Sequence, residues 1–320
     1  MRTILAAVMI AISIATGAFA QPYPNKPIKI IVPYPAGGVL DTLTRAISEH
    51  ARVALGQPWI IENRMGASGA LGLQACAQSE PDGYTYCPVT AEALSVTPHF
   101  DPKLAERYKS LIPVTQFVAA DGVIYAHPSL QANTLRDVVA YAKAHPTELS
   151  YSSWGPGTSP HLLFEWLKKT NNIEILHVPH KGSAEAAQEV VAGRLPLSYI
   201  AVGFVMPHIK AGNLKPLAVI GNERSAMLPD TPALGELGIP FPYKGARFGL
   251  MAPEGTPLEL RERIAAVVKE ALDKPELRAR FLDPQGYKVV ASRPDAFAAH
   301  IKAEFESGAE IMRITGIKAQ

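Results

Sequence analysis

Three short loops carry the groups best placed for chemistry. Pro33-Tyr34-Pro35-Ala36-Gly37-Gly38 follows the apolar run Ile28–Val32 and leads into a stretch of helical period. Its backbone amides and the helix N-terminus converge on one spot, and such a spot favours an anion because unpaired N–H groups and the positive end of the helix dipole meet there. The two glycines let a ligand approach the backbone with no Cβ in the way. A plain Gly-rich turn accounts for this segment equally well. Gly66-Ala67-Ser68-Gly69-Ala70 is the second loop; Ala70 departs from the nucleophile-elbow pattern, and no Gly-Lys-Ser/Thr follows to make a phosphate loop. The third, Ser152-Ser153-Trp154-Gly155-Pro156-Gly157-Thr158-Ser159, is rich in hydroxyls and glycine. In open α/β sheets, ligands sit beyond the carboxyl ends of strands, where loops of this kind gather.

Catalytic and metal-binding alternatives are thinner. Of nine histidines, His177 and His180 flank Val178-Pro179 at a strand end, and no carboxylate or cysteine cluster completes a metal set. We read them as a partly buried residue and a loop residue. An exported hydrolase using Ser68 or Ser153 is the enzymatic alternative; it needs a histidine within reach of the serine and an acid behind it. Cys76 and Cys87 lie on either side of the turn Pro81-Asp82-Gly83. A disulfide and a pair of buried thiols are both compatible with their spacing.

The elements that must position these loops follow an α/β rhythm: short runs rich in Val, Ile and Tyr alternate with helical segments. Ile28–Val32, Trp59–Ile61, Tyr84–Val89, Leu149–Ser152, Ile173–Val178 and Leu214–Gly221 read as strands. Leu43, Ala46 and Ile47 share a helical face that ends at Gly56. Thr134 and Asp137 form a capping box for a helix closed by Pro146. Ala184–Ala192 is a helix stopped by Gly193. Thr256 and Pro257 are the cap and first turn of another helix, and a last one spans Pro294–Met312 on Phe297, Ile301 and Phe305. The 28 prolines and 24 glycines are spread between elements, so no linker marks a domain boundary.

Arg2, the apolar run Ile4–Ala15 and the small residues ending in Ala18-Phe19-Ala20 read as a signal peptide cleaved after Ala20, which places the protein in the periplasm. The remaining ~300 residues suffice for about two domains. The 31 Lys and Arg, one of them Arg2, nearly balance 29 Asp and Glu without a basic tract, which argues against nucleic acid or an anionic membrane as partner.

A further set of segments carries a family resemblance. Tyr23-Pro24 and Lys26-Pro27 lead into Ile31-Val32-Pro33-Tyr34-Pro35-Ala36-Gly37-Gly38 and Asp41. Glu62-Asn63-Arg64, Pro81-Asp82-Gly83-Tyr84-Thr85, the loop from Ser152 to His161, and Val178-Pro179-His180-Lys181-Gly182-Ser183 follow. Pro207-His208-Ile209-Lys210-Ala211-Gly212, Phe248-Gly249-Leu250 and Ala252-Pro253-Glu254-Gly255-Thr256-Pro257 complete the set.

In this order and spacing the chain resembles the Bug family of solute receptors of tripartite tricarboxylate transporters. The resemblance implies a type II periplasmic-binding-protein fold: two α/β lobes joined by two crossings with a ligand cleft between. Lobe 1 is placed at residues 21–121 plus 248–320, lobe 2 at 122–247. It implies a monomer that needs no cofactor, binds a small carboxylate (a dicarboxylate or an aromatic acid) and hands it to an inner-membrane permease. A periplasmic sensor subunit would use the same cleft. The family pattern maps the carboxylate onto Tyr34, Ala36, Gly37 and Gly38 with Ser68 and Thr90 as neighbours, while Gly157, Thr158 and Ser159 close from the second lobe. Asp41 matches the family's acidic residue, and we favour first-turn helix charge over ligand contact for it. Departures bear on substrate choice: His180 stands where Tyr is common, Ile200-Ala201 where an Asp-Asn pair is frequent, and Arg247 near a common Trp. Arg247 is either a bidentate partner for a second carboxylate or a surface cation. Trp154 either stacks on the ligand body or packs on the lobe surface.

Overall fold

The computed structural model describes residues 23–243 and 245–318; the expected signal peptide lies outside the described residues. No helix among the described residues is long and apolar enough to cross a membrane. Among the described residues, eleven strands form two sheets. In chain order they are β1 (Ile28–Val32), β2 (Trp59–Asn63), β3 (Thr85–Thr90), β4 (Leu111–Ala120), β5 (Gly122–Ala126), β6 (Ser150–Ser153), β7 (Leu176–Pro179), β8 (Leu197–Ala201), β9 (Lys215–Val219), β10 (Ala246–Pro253) and β11 (Lys288–Val289).

The first sheet runs β11-β4-β10-β3-β1-β2, with β1 parallel to β2 and β3 and with β10 antiparallel to β3 and β4. The second runs β7-β6-β8-β5-β9, with β6 parallel to β7 and β8 and with β5 antiparallel to β8 and β9. Parallel strands covered on both faces must be apolar nearly throughout. Accordingly Ile28, Ile30, Ile31 and Val32 are all buried, each worth roughly 1.5–3 kcal/mol of transfer free energy.

The chain passes between sheets twice. Asp121 alone separates β4 from β5, and the return falls between β9 and β10. At the first crossing a Cβ on Gly122 would collide with the Tyr199 ring, so only glycine fits there. The last helix, Pro294–Thr315, packs on β4 and the Ala91–Ser95 helix of the first sheet and also on the Ser159–Asn171 helix of the second. It ties the two halves together.

Most sequence expectations hold locally. The Val39–Leu55 helix ends on a left-handed Gly56. Thr134 Oγ1 accepts from Asp137 N (3.1 Å) while Asp137 Oδ2 accepts from Thr134 N (2.9 Å), a complete capping box. Cys76 and Cys87 are disulfide-bonded with Cα atoms 6.1 Å apart, tying the Ala70–Ala77 helix to β3. Four details differ. The second loop, Gly66 to Ala70, becomes a tight turn at Ala67–Gly69, and its last residue already starts the Ala70–Ala77 helix. β7 starts only at Leu176, because it pairs with the short β6 and has no partner before Ser150. Pro257 rather than Thr256 caps the Leu258–Asp273 helix, since the Thr256 hydroxyl donates backward to Pro253 O at 2.8 Å. Phe305 is 41% exposed, where its ring meets His99.

Candidate functional site

The loops from the carboxyl ends of both sheets face each other across the cleft. Each of four strands feeds a helix of nine residues or more: β1 into Val39–Leu55, β6 into Ser159–Asn171, β7 into Ser183–Val191, and β8 into Val202–Lys210. Their N-caps are Gly38, Thr158, Gly182 and Ala201, and none makes a side-chain cap hydrogen bond. A helix end leaves several N–H groups without intrahelical partners, and a cap normally satisfies one of them. All four ends border one cavity; at two of them a protein group already intervenes, since Val202 N donates to Asp121 O (2.9 Å) and the Ser159 hydroxyl to Glu92 (2.8 Å).

That cavity measures about 430 Å³, within the range of small-molecule sites. Tyr34, Ala36, Gly38 and Thr90 form its first-sheet wall, and Trp154 and Ser159 belong to the opposite one. The halves nearly touch at its mouth. A Cβ on Gly38 would lie 3.2 Å from Ser183 Oγ, and one on Gly182 would lie 3.0 Å from the Pro35 ring.

The first loop is held rigidly by Asp41. Its carboxylate is 2% exposed and accepts from Gly37 N (3.0 Å), Arg45 Nε (2.9 Å) and Asn63 Nδ2 (2.9 Å). Burial opposes its ionisation, but the hydrogen bonds from Arg45, Gly37 and Asn63 outweigh burial and hold the carboxyl below its usual range. Gly37, at φ +83°, presents the amide that Asp41 takes. Asn63 Nδ2 also donates to Tyr34 O (2.9 Å), and Tyr34 Oη donates to Ser68 O (3.0 Å), which links the first two loops.

Two hydroxyls in the wall are left over. Thr90 Oγ1 and Tyr199 Oη are buried without hydrogen-bond partners, although Thr90 lies close to the Tyr34 hydroxyl. Burial pushes the Tyr199 hydroxyl well above its usual pKa, so it stays a donor. Buried polar groups are rarely left unpaired; both residues belong to the cavity wall, with the end of the Tyr199 ring packed against Gly122.

Six of the twelve residues expected at the site therefore line the cavity, and the others stand behind or beside it. Gly37 N is committed to Asp41. The Ser68 hydroxyl lies against Gly155, and Gly157 N donates to His161 Nδ1 (3.1 Å). Thr158 Oγ1 donates to Gly155 O. His180 Nδ1 is 3.8 Å from Glu185 Oε1, and Arg247 donates to Ala246 O (3.2 Å).

Sequence reasoning missed Glu92, Tyr199, Lys181 and Ser183. Glu92 follows the end of β3 by two residues, so the rule about strand carboxyl ends already pointed to it. Its carboxyl is 3% exposed and accepts from Ser159 Oγ (2.8 Å) and Tyr243 Oη (3.2 Å). Burial raises its pKa. For Tyr199 no signal existed, because every residue of β8 is buried and alternation cannot separate cleft from core.

Ser153 does find a histidine: its Oγ lies 2.6 Å from His177 Nε2. The serine is fully buried, is outside the cavity wall and accepts from Gly155 N (3.0 Å), which makes the pair a brace for the third loop. The nearest acid, Glu165, is bonded to Tyr151 and Lys168 instead of the imidazole.

Two α/β lobes, two crossings and a cleft walled by loops at strand carboxyl ends define the type II periplasmic-binding-protein class. Residues 43–317 match the tripartite tricarboxylate transporter family receptor, and the chain belongs to that family. It is 33% identical to protein BugT of Bordetella pertussis, with 97% of each chain covered. Its structure superposes on the periplasmic binding protein BugD with a TM-score of 0.86 at 28% identity, covering 93% of this chain and 100% of that one. It also superposes on MatC of Rhodopseudomonas palustris with bound malate, at a TM-score of 0.85 and 28% identity, covering 90% and 99%. Members of this family of solute-binding receptors are periplasmic binding proteins.

Proposed function

We propose that this chain is a periplasmic receptor that closes its two lobes over a small carboxylate and delivers it, as a monomer, to the membrane permease of a tripartite tricarboxylate transporter. The observation that carries this reading is the placement of four helix N-termini without side-chain caps, those at Gly38 and Gly182 foremost, around one cleft whose wall also includes Thr90 and Tyr199. Such ends attract negative charge and offer N–H donors without needing a cation. The malate in the related MatC structure supports the same ligand class. Tyr34, Ala36, Gly38 and Thr90 form the first-lobe seat, and Trp154 and Ser159 contact the ligand from the second. Lobe 1 comprises residues 21–121 and the segment from about 248 onward, lobe 2 the residues between. Binding and release complete its task, with no chemical step.

Thermal melts against a panel of mono-, di- and tricarboxylates test the proposal. A true ligand at about 100 times its dissociation constant adds ~2.7 kcal/mol to stability. A panel that includes amino acids and shifts nothing would end the carboxylate reading.

A further inference from the structure

The ligand's charge can be read from Glu92, an inference that rests on the carboxylate-receptor reading above. Glu92 stands in the cavity wall on the first lobe, yet its Oε1 takes the hydroxyl of Ser159 (2.8 Å), the first residue of the Ser159–Asn171 helix on the second. Its Oε2 takes the hydroxyl of Tyr243 (3.2 Å) on the return crossing. The protein therefore already seats a carboxyl of its own at one of the helix ends around the cavity. The remaining polar equipment lies elsewhere in the wall: the Gly38 loop, the Gly182–Ser183 helix end at the mouth, and the hydroxyl-bearing Thr90 and Tyr199.

Charge and polarity point the same way. Among the described residues the charged side chains lining the cavity are Glu92, Lys181 and Glu185; the latter two are exposed at the mouth, where Lys181 N donates to Glu185 Oε2 (3.1 Å). Arg247, read from the sequence as either a partner for a second carboxylate or a surface cation, is absent from the lining. The rest of the body of the cavity is apolar, with Val39, Leu40, Trp154, Ile200 and Phe248 among its walls. A second carboxylate at the Ser159 helix end would meet the acidic group already seated there, with an apolar surround and no cation to offset the repulsion. An apolar or aromatic body meets complementary walls.

We propose that Glu92 occupies the seat a ligand's distal carboxylate would take, so that the cleft selects a monocarboxylate with an apolar or aromatic body over a dicarboxylate. Glu92 acts as the specificity-determining residue of the second seat. The carboxylate of the ligand binds at the Gly38 loop and the unpartnered hydroxyls.

Isothermal titration of the purified chain with benzoate, 3-phenylpropionate and hexanoate, set against adipate and malate, tests this directly. The wild type is expected to bind the best monocarboxylate at least tenfold more tightly than either dicarboxylate. Glu92→Ser, which vacates the seat and frees the Ser159 hydroxyl, should tighten adipate at least tenfold relative to the monocarboxylates. Glu92→Gln, which fills the seat without charge, should recover only part of that gain. The ratio between ligand classes is decisive, because a merely structural loss weakens both alike. A wild type that binds adipate or malate as tightly as any monocarboxylate overturns the proposal whether or not the variants fold, and so does a ratio unchanged in folded variants. Silence from every acid instead overturns the receptor reading itself, and this inference falls with it.

Discussion

At the scale of single residues, Asp41 and Tyr199 act on the cleft in opposite ways. Asp41 gathers Gly37, Arg45 and Asn63 and thereby freezes the shape of the first loop before any ligand arrives. Asp41→Ala leaves those donors in a part-buried environment without their acceptor, so urea titration should show a loss of about 1–3 kcal/mol, with weakened binding as well. Because the Asp41 carboxyl is held below its usual value, its contribution is present above the unfolded pKa and is lost as pH falls through the folded one. Tyr199 has no hydrogen-bond partner to lose. Tyr199→Phe should therefore leave the ligand-free melting temperature unchanged or slightly raised, while affinity for the bound acid drops about tenfold, the effect of one lost hydrogen bond to a charged group. Equal affinity in the variant would remove Tyr199 from the anion seat.

At the scale of elements, strand–loop–helix units do the positioning, and their legibility in sequence was uneven for physical reasons. The β1 unit was readable because its signals are local: an apolar run, a glycine pair, then a helical stripe stopped by Gly56. The capping box at Thr134 and Asp137 was readable for the same reason. Tyr199 and Ser183 become site residues only when the two sheets face each other, which no local pattern encodes, whereas Glu92, two residues past β3, was within reach of the strand-end rule. Arg247 illustrates the converse: its place in the family pattern was legible, but neither its strand nor the direction of its side chain was. The disulfide lay between these cases, since spacing allowed it and only the packing of the Ala70–Ala77 helix on β3 brings the two sulfurs together. It closes a short loop, so Cys76→Ala with Cys87→Ala should cost about 3 kcal/mol, measured by denaturant titration. A melting temperature unaltered in the double variant would show that the bridge constrains nothing the fold does not already constrain.

At the scale of the whole molecule, the two halves of the clamp rest on different chemistry and should respond differently to acid. The first loop depends on a carboxylate held ionised, whereas the third loop depends on two neutral imidazoles. His161 Nδ1 accepts from Gly157 N, and His177 Nε2 pairs with Ser153 Oγ; the rings lie 4.5 Å apart. Burial, aided by nearby positive groups, pushes both down to about 4, while an unfolded chain protonates histidine near 6.5. Between those values the unfolded state binds more protons than the folded one, so stability must fall as pH drops from about 6.5 toward 4 and is fully present above that window. The third loop carries Trp154 and Ser159 into the cleft, and the second lobe should therefore loosen at a pH where Asp41 still holds the first. Melting temperatures recorded from pH 7.5 to 4 in the wild type and in His161→Gln with His177→Gln measure this, the other titrating groups being common to both. The variant is expected to lose less stability across the window, and parallel curves would mean that the two imidazoles are neutral bystanders to folding.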